Sequence, residues 1–229
     1  MSGSAVVIGA SGGIGRAIAD ALEEEGGHKA LHRFARSSTG AEHLDLTDEA
    51  SIAAAAARVT VAPTLIIVAT GLLHDGDQGP EKALRDLDPV WLARQFAVNA
   101  IGPALIAKHF VPLLAKTGGI FAALSARVGS ITDNRMGGWY GYRAAKAALN
   151  QLIRTTAIEA RRTNDRAIIV GLHPGTVDTA LSRPFQATVA PGQLFDPDRA
   201  ALQLLDVIEG LGVKDSGRIF DWQGVEIAP

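Results

Sequence analysis

The sequence predicts an α/β fold built on a single doubly wound parallel sheet with helices on both faces. Short apolar runs recur along the 229 residues, and most are followed by a stretch whose apolar residues have helical spacing. The runs have no polar face, as Leu65-Ile66-Ile67-Val68 illustrates, so both sides of the sheet must be covered. Parallel strands also need crossover connections, which the intervening helices provide. Residues 1–229 are therefore predicted to form one domain.

The predicted strands and helices alternate in a regular order. The first strand, residues 5–8, runs into a glycine-rich turn and then into a helix that ends at Gly26-Gly27. Thr47-Asp48 and Asp88-Pro89 are typical helix starts, and the second opens a long helix that continues through Phe110. Another long helix is predicted over residues 142–162, and a late one begins at Asp196-Pro197. The remaining strands are predicted at residues 30–35, 43–46, 64–69, 120–124, 167–172 and 217–220.

Composition excludes several classes of protein. A chain that is 47% hydrophobic and 20% charged can bury a sizeable core and is not a disordered tail. A net charge of -2 argues against a nucleic-acid or anionic-membrane surface. No uninterrupted apolar run approaches the ~18 residues of a membrane span, and no basic segment opens a signal peptide. We therefore expect no membrane or nucleic-acid partner and a cytoplasmic location.

The residue types present also limit the chemistry. The absence of cysteine excludes disulfides, thiolate-bound metals and thiol nucleophiles. The six histidines form no H-E-x-x-H pattern, so no metal site is predicted.

The turn after the first strand predicts a dinucleotide-binding site. Glycines there allow a tight turn, close approach of the backbone to a pyrophosphate, and close packing of helix on strand. The helix N-terminus that follows offers free N–H groups to phosphate. Gly9, Gly13 and Gly15 fit one glycine spacing, and Gly9, Gly12 and Gly15 fit another equally well. The turn alone does not choose between the two.

The end of the second strand indicates which cofactor is preferred. An acidic residue about 20 positions after the turn binds a ribose 2′-hydroxyl, whereas an arginine suits a 2′-phosphate. No acidic residue lies between Glu25 and Glu42, while Arg33 and Arg36 do. The sequence thus favours NADP over NAD.

Tyr142 and Lys146 form the leading candidate for a catalytic pair. Residues at i and i+4 share one face of a helix, with Cβ atoms about 5–6 Å apart. A phenol with a pKa near 10 exchanges protons poorly at neutral pH, and a nearby ammonium favours the phenolate. At ~4 Å that attraction is about 1 kcal/mol in water and about 4 kcal/mol at an effective dielectric constant near 20. The pair therefore predicts a partly dehydrated site.

Together these residues resemble the short-chain dehydrogenase/reductase family over essentially the whole chain, and thus imply a Rossmann fold. Residues 125–140 are similar to its C-factor and sniffer-like carbonyl reductase branch. Asp45-Leu46 resembles the pair that contacts adenine, and residues 174–179 resemble the segment that holds the nicotinamide carboxamide. The resemblance implies a set of cofactor-binding residues: Gly9, Ser11, Gly12, Gly13, Ile14, Gly15, Arg36, Asp45, Leu46, Ala69, Gly71, Asn99, Tyr142, Lys146, Pro174, Gly175, Val177 and Thr179.

The resemblance also implies catalytic roles. Tyr142 would protonate a developing alkoxide, and Lys146 would lower the pKa of Tyr142 and hold the nicotinamide ribose. Asn99 would anchor a water behind Lys146, and a serine would hydrogen-bond the substrate oxygen. The implied reaction is the NADPH-dependent reduction of an aldehyde or ketone, or the reverse oxidation of an alcohol. Residues 178–196 resemble a mobile substrate lid, and a homodimer or homotetramer is expected.

Two departures from the family pattern bear on these roles. Val68-Ala69-Thr70-Gly71 stands where the family has Asn-Asn-Ala-Gly, for which we expect a structural consequence first. The catalytic serine is expected three residues before a glycine, and counting back from Gly129 gives Ala126. Ser125 is the candidate in its place, with Ser130 as the alternative.

Two other functions remain open. One is a cofactor-binding regulatory or signalling protein with little turnover, which the C-factor resemblance and the missing serine favour. The other is a sugar-nucleotide epimerase or dehydratase, which also carries Tyr-x-x-x-Lys. Such enzymes usually add a substrate region after the sheet, and few residues remain here beyond Gly175.

Overall fold

The computed structural model describes residues 3–229 and contains one main sheet. Its strands, together with those of a small second sheet, are β1 (Ser4–Ile8), β2 (Leu31–Phe34), β3 (Pro63–Val68), β4 (Ile120–Leu124), β5 (Ile168–His173), β6 (Thr176–Val177), β7 (Leu194–Phe195) and β8 (Ile219–Asp221). The main sheet has the order β2-β1-β3-β4-β5-β8, and all of its strand pairs are parallel. The predicted fold class is confirmed.

Six helices cover the sheet: α1 (Gly13–Glu25), α2 (Glu49–Ala56), α3 (Pro89–Phe96), α4 (Gly102–Phe110), α5 (Tyr140–Ala160) and α6 (Pro197–Gly210). Successive strand residues point to opposite faces, so β1 contributes Val6 and Ile8 to one core and Val7 to the other. The first core is completed by α2, α4 and α5, through residues such as Phe110 and Leu149. The second is completed by α1 and α6. This two-sided burial explains the fully apolar strands.

The predicted strand at residues 43–46 is wrong. His43 forms a single isolated bridge to Ala35, and no strand continues from it. The side chain of Asp45 accepts hydrogen bonds from the backbone N–H and the hydroxyl of Thr47, at 2.8 and 2.7 Å. The N–H of Asp45 donates to the Ser51 hydroxyl at 2.9 Å. These local bonds form a turn into α2, so the main sheet ends at β2.

The long helix predicted from Asp88 is interrupted in its middle. The carboxylate of Asp88 accepts from the N–H of Trp91 at 2.7 Å and starts α3. A π-helical turn, Ala97–Ile101, then joins α3 to α4. The stretch Pro89–Leu113 is long and apolar enough to cross a membrane by length and composition, although the uninterrupted runs in the sequence are shorter. A core helix of a globular domain passes the same test, and here Ile106 and Phe110 are buried in the first core.

The carboxyl ends of β1, β3, β4 and β5 meet at one edge of the sheet, as parallel strands require. The glycine turn, Ala69-Thr70-Gly71, Ser125-Ala126 and Pro174-Gly175 follow these strands directly. The chain therefore gathers segments that are far apart in sequence at this edge.

Candidate active site

A cleft of about 600 Å³ lies at this edge, between the glycine turn, the N-terminus of α5 and residues 178–196. Twelve of the predicted site residues line it: Gly12, Gly13, Ile14, Ala69, Gly71, Ser125, Tyr142, Lys146, Pro174, Gly175, Val177 and Thr179. The others lie outside its lining: Gly9, Ser11, Gly15, Arg36, Asp45, Leu46, Asn99 and Ser130. The structure thus brings most of the predicted residues together.

The glycine turn requires glycine at three positions. Gly9 has φ +90°, and a Cβ on Gly15 would lie 2.2 Å from the Gly9 carbonyl oxygen. A Cβ on Gly13 would lie 2.6 Å from Cγ2 of Thr179, whereas one on Gly12 would meet its nearest atom at 3.4 Å. The spacing of Gly9, Gly13 and Gly15 is therefore the one that the packing demands.

This turn also presents unused donors. Gly12 precedes α1 without a side-chain cap, so N–H groups of the first helical turn are free to meet an anion. Two buried polar atoms of the cleft lining, Oγ1 of Thr70 and Nδ1 of His173, have no partner within residues 3–229. Buried polar atoms are normally satisfied. The cleft therefore fits a polar ligand such as a dinucleotide.

Tyr142 and Lys146 face the cleft from the first turns of α5, and both are buried. Nζ of Lys146 lies 5.7 Å from the centroid of the Tyr142 ring and donates to the carbonyl oxygen of Leu124 at 2.8 Å. Burial raises the pKa of Tyr142 and lowers the pKa of Lys146 to about 7. In the protein alone, desolvation outweighs the charge of Lys146, because burial disfavours the charged form of both groups.

The candidate serines have other partners. The hydroxyl of Ser125 donates to Oδ1 of Asn150 at 2.5 Å, on the side of α5. The hydroxyl of Ser130 donates to the carbonyl oxygen of Pro229 at 3.4 Å and accepts from the N–H of Asp133 at 3.1 Å. Ala126 instead packs against Tyr142 in the cleft. The catalytic assignment of Ser125 or Ser130 stays a prediction.

The side chain of Asn99 forms hydrogen bonds with the backbone of the loop after β3. It is buried in the π-helical turn, where its side chain accepts from the N–H of Leu72 at 2.9 Å and donates to the Leu72 carbonyl at 2.7 Å. Its amide also donates to Oε1 of Gln95 at 2.7 Å. Both amide protons are thus used by the protein, and Oδ1 keeps acceptor capacity for the predicted water.

The two arginines after α1 differ in their surroundings. Arg33 forms ion pairs with Asp20 at 2.5 Å and Glu23 at 2.7 Å. Arg36 is exposed and forms no ion pair within the described part of the chain. The pKa of Asp45 is lowered, chiefly by the hydrogen bond from the Thr47 N–H and also by the charge of Arg36. Arg36 is therefore the basic group at the end of β2 that remains available.

An apolar lobe of the cleft surrounds Tyr142, and sequence reasoning found only part of it. Its walls are Leu73, Ala126, Val128, Trp139, Leu181 and Phe185. The ring of Trp139 meets the rings of Tyr142 and Phe185 edge to face, with centroids 6.3 and 5.1 Å apart. In the sequence, Trp139 lies three residues before Tyr142, and Phe185 falls within the predicted lid, residues 178–196.

Comparison with known proteins shows the family. A family model for short chain dehydrogenases matches residues 4–190, so the chain belongs to that family. The C-signal protein of Myxococcus xanthus is 37% identical over 147 residues, which cover 63% of this chain and 82% of that protein. The 1-hydroxy-2-glutathionyl-2-methyl-3-butene dehydrogenase of Rhodococcus sp. (strain AD45) is 29% identical over 225 residues, 93% of each chain.

Solved structures agree with this family. The NADPH-bound carbonyl reductase from chicken fatty liver superposes with a TM-score of 0.82 and 25% identity, over 99% of this chain and 94% of that one. The carbonyl reductase Sniffer of D. melanogaster gives a TM-score of 0.81 at 22% identity, over 100% of both chains, which shows the fold. The predicted family and the predicted enzyme class, an NAD(P)-dependent oxidoreductase, are confirmed.

Proposed function

We propose that this protein reduces the carbonyl group of an aldehyde or ketone with NADPH. The observation that carries the proposal is the pair Tyr142 and Lys146, buried together in a cleft whose other end is the glycine turn. The carbonyl reductase from chicken, with NADPH bound and a TM-score of 0.82, supports the same reaction class. Bound NADPH would supply the hydride that reduces the carbonyl carbon.

Tyr142 supplies the proton in this proposal. Its phenol carries the proton at neutral pH and faces the cleft, where an oxygen that becomes an alkoxide would accept it. As the proton leaves, the charge of Lys146 favours the phenolate that forms, and it acts in a site of low dielectric constant.

The cofactor would lie along the glycine turn. The free N–H groups at the start of α1 suit its pyrophosphate, and Arg36 suits a 2′-phosphate. Pro174, Gly175, Val177 and Thr179 would hold the nicotinamide end beside Tyr142, as the family resemblance implies. NADPH rather than NADH is therefore the proposed cofactor.

The apolar lobe supports a substrate with an apolar body. Its walls carry no charged side chain apart from the neighbouring Arg127, whose guanidinium pairs with Asp221 at 2.8 Å. Residues 178–196, which supply Leu181 and Phe185 to these walls, are proposed as the substrate lid. One domain over the whole chain and a cytoplasmic location remain predictions.

A homodimer or homotetramer also remains a proposal. The outward faces of the helices from Pro89 to Leu113 and of α5 expose apolar side chains, among them Val90, Ile101 and Ile158. Exposed apolar faces of this kind favour self-association.

The decisive experiment compares the wild-type protein with the Tyr142→Phe variant. We expect the wild type to consume NADPH with a panel of aldehydes and ketones, and Tyr142→Phe to lose at least about 100-fold in kcat because it lacks the proton donor. The Kd for NADPH should stay within about 2-fold, since the glycine turn is untouched.

Full activity of Tyr142→Phe would contradict the catalytic assignment. Stabilisation by NADPH without turnover over the panel would instead support the regulatory or signalling function. That function is favoured by two observations, the similarity to C-signal and the methyl group of Ala126 beside Tyr142.

A further inference from the structure

A buried carboxylate that the proposed reaction does not use lies at the N-terminus of α5. Glu81, on the segment between β3 and α3, is only 3% exposed. Oε2 of Glu81 accepts from the N–H of Gly141 at 3.0 Å, and its backbone oxygen accepts from the N–H of Trp139 at 2.5 Å. One residue thus binds two N–H groups at the start of the helix that carries Tyr142.

The helix has no cap of its own at this end. Trp139 precedes α5 with φ +52° and ψ +43°, and its side chain cannot cap. It is the sole non-glycine residue with positive φ in residues 3–229. Such a conformation is disfavoured for a bulky residue and persists where the surroundings impose it. The bond from Trp139 to Glu81 is part of those surroundings, and the carboxylate also matches the positive end of the helix dipole.

Gly141 leaves the space that this contact needs. A Cβ at position 141 would lie 2.8 Å from Oε1 of Glu81 and 3.0 Å from Cδ2 of Leu92. Oε1 itself is buried and has no hydrogen-bond partner in the described chain. An apolar residue would fill this position at lower desolvation cost, so packing alone does not account for a carboxylate here.

The anchored turn holds two walls of the cleft. Trp139 and Tyr142 lie on either side of Gly141, and their rings meet edge to face. We propose that Glu81 is a positioning residue, which holds the first turn of α5 so that Tyr142 and Trp139 face the substrate. The inference rests on the proposed function, because the position of Tyr142 is what it explains.

The test compares Glu81→Ala, Glu81→Gln and the wild type, with Glu24→Ala as the control for loss of an exposed glutamate on α1. Small misplacements of a catalytic group cost up to about 100-fold. We expect Glu81→Ala to lower kcat about 10- to 100-fold, with KM changed less than about 3-fold and the Kd for NADPH within about 2-fold. Glu81→Gln should stay within about 3-fold of wild type, because its amide oxygen still accepts from Gly141.

Hydrogen exchange of residues 139–146 gives a readout that does not depend on turnover. Glu81→Ala should accelerate exchange in this segment alone, and Glu81→Gln and Glu24→Ala should not. Unchanged kcat and unchanged exchange in Glu81→Ala would overturn the inference. Equal loss in the Ala and Gln variants would do so too, because the acceptor would then not be what matters. A wild type without turnover would contradict the proposed function, while the exchange data would still decide the role of Glu81.

The Gly141→Ala variant tests the same contact from the other side. Its Cβ should displace the carboxylate and lower kcat on its own. Gly141→Ala should lower kcat at least about 3-fold less in the Glu81→Ala variant than in the wild type. The reason is that both substitutions remove the same contact. Strictly independent effects of the two substitutions would overturn the contact as the cause.

Discussion

At the residue scale, the cleft differs from the family pattern at one atom beside the reacting group. The methyl group of Ala126 lies against Tyr142 where the pattern has a serine hydroxyl, and the neighbouring Ser125 is turned to Asn150. Ser125 and Ala126 both follow the end of β4 and both line the cleft, but the Ser125 hydroxyl is bonded to Asn150. In the proposed reaction, Tyr142 would be the donor to the substrate oxygen on this side.

The variant Ala126→Ser tests this interpretation. A hydroxyl at position 126 would add a donor where negative charge develops, and removal of such donors in other enzymes costs about 100- to 1,000-fold in kcat. We expect a gain of about 3- to 10-fold in kcat, measured by NADPH consumption with the best carbonyl substrate. Ser125→Ala serves as the control and should change kcat by less than about 3-fold. A large loss in that control would restore Ser125 as the catalytic serine.

At the element scale, the residues at the end of β2 bear on the choice between NADPH and NADH. The two arginines there look equivalent in sequence, yet Arg33 is paired with carboxylates of α1 and Arg36 is free of ion pairs in residues 3–229. The predicted strand after them is reduced to one bridge from His43 to Ala35, so β2 is the last strand of the main sheet on this side. Arg36 follows that bridge and is exposed. A 2′-phosphate could reach Arg36 there.

The Arg36→Ala substitution should therefore weaken the binding of NADPH more than the binding of NADH. Hydrogen bonds between charged groups contribute about 1.5–3 kcal/mol, so we expect the Kd for NADPH to rise at least about 10-fold while the Kd for NADH changes less than about 2-fold. Thermal-shift or fluorescence titration of both cofactors measures this. Arg33→Ala is the matched control, and a larger loss of NADPH affinity in that variant would contradict the assignment.

At the scale of the whole molecule, buried titratable groups link stability to pH. Burial lowers the pKa of His173 to about 4, with smaller contributions from Arg127 and Lys146 in the same direction and an opposing one from Asp221. The unfolded chain, with an ordinary histidine pKa near 6.5, binds the proton more tightly than the folded protein. The free energy of unfolding therefore rises with pH between about 4 and 6.5 and gains nothing more from this group above that range.

The His173→Gln variant should flatten that part of the stability profile. Urea unfolding at a series of pH values should show that the wild type loses on the order of 3 kcal/mol more than the variant between pH 6.5 and pH 4. His43→Gln, which changes an exposed histidine, should keep the wild-type slope. Identical slopes for His173→Gln and the wild type would show that the pKa of His173 is the same in the folded and unfolded protein.

Much of this structure could be predicted from local pattern. Alternation of apolar strands and helices predicted the sheet, Asp88 and Asp196 predicted two helix starts, and the glycine cluster predicted the turn after β1. These features depend on neighbours within a few residues, whose spacing the sequence displays directly. The strand predicted at residues 43–46 failed because side-chain hydrogen bonds of Asp45 competed with strand pairing.

By itself, the sequence determined the fold class, the family and the spacing that puts Tyr142 and Lys146 on one helix face. Only the tertiary structure decided which glycines are required, which arginine is free, where Ser125 points and what caps α5. The physical reason is the range of the interactions. Gly13 meets Thr179, Arg33 meets Asp20, and Glu81 meets Gly141 across 60 residues of chain. Such contacts exist only after the chain has folded and brought these elements together.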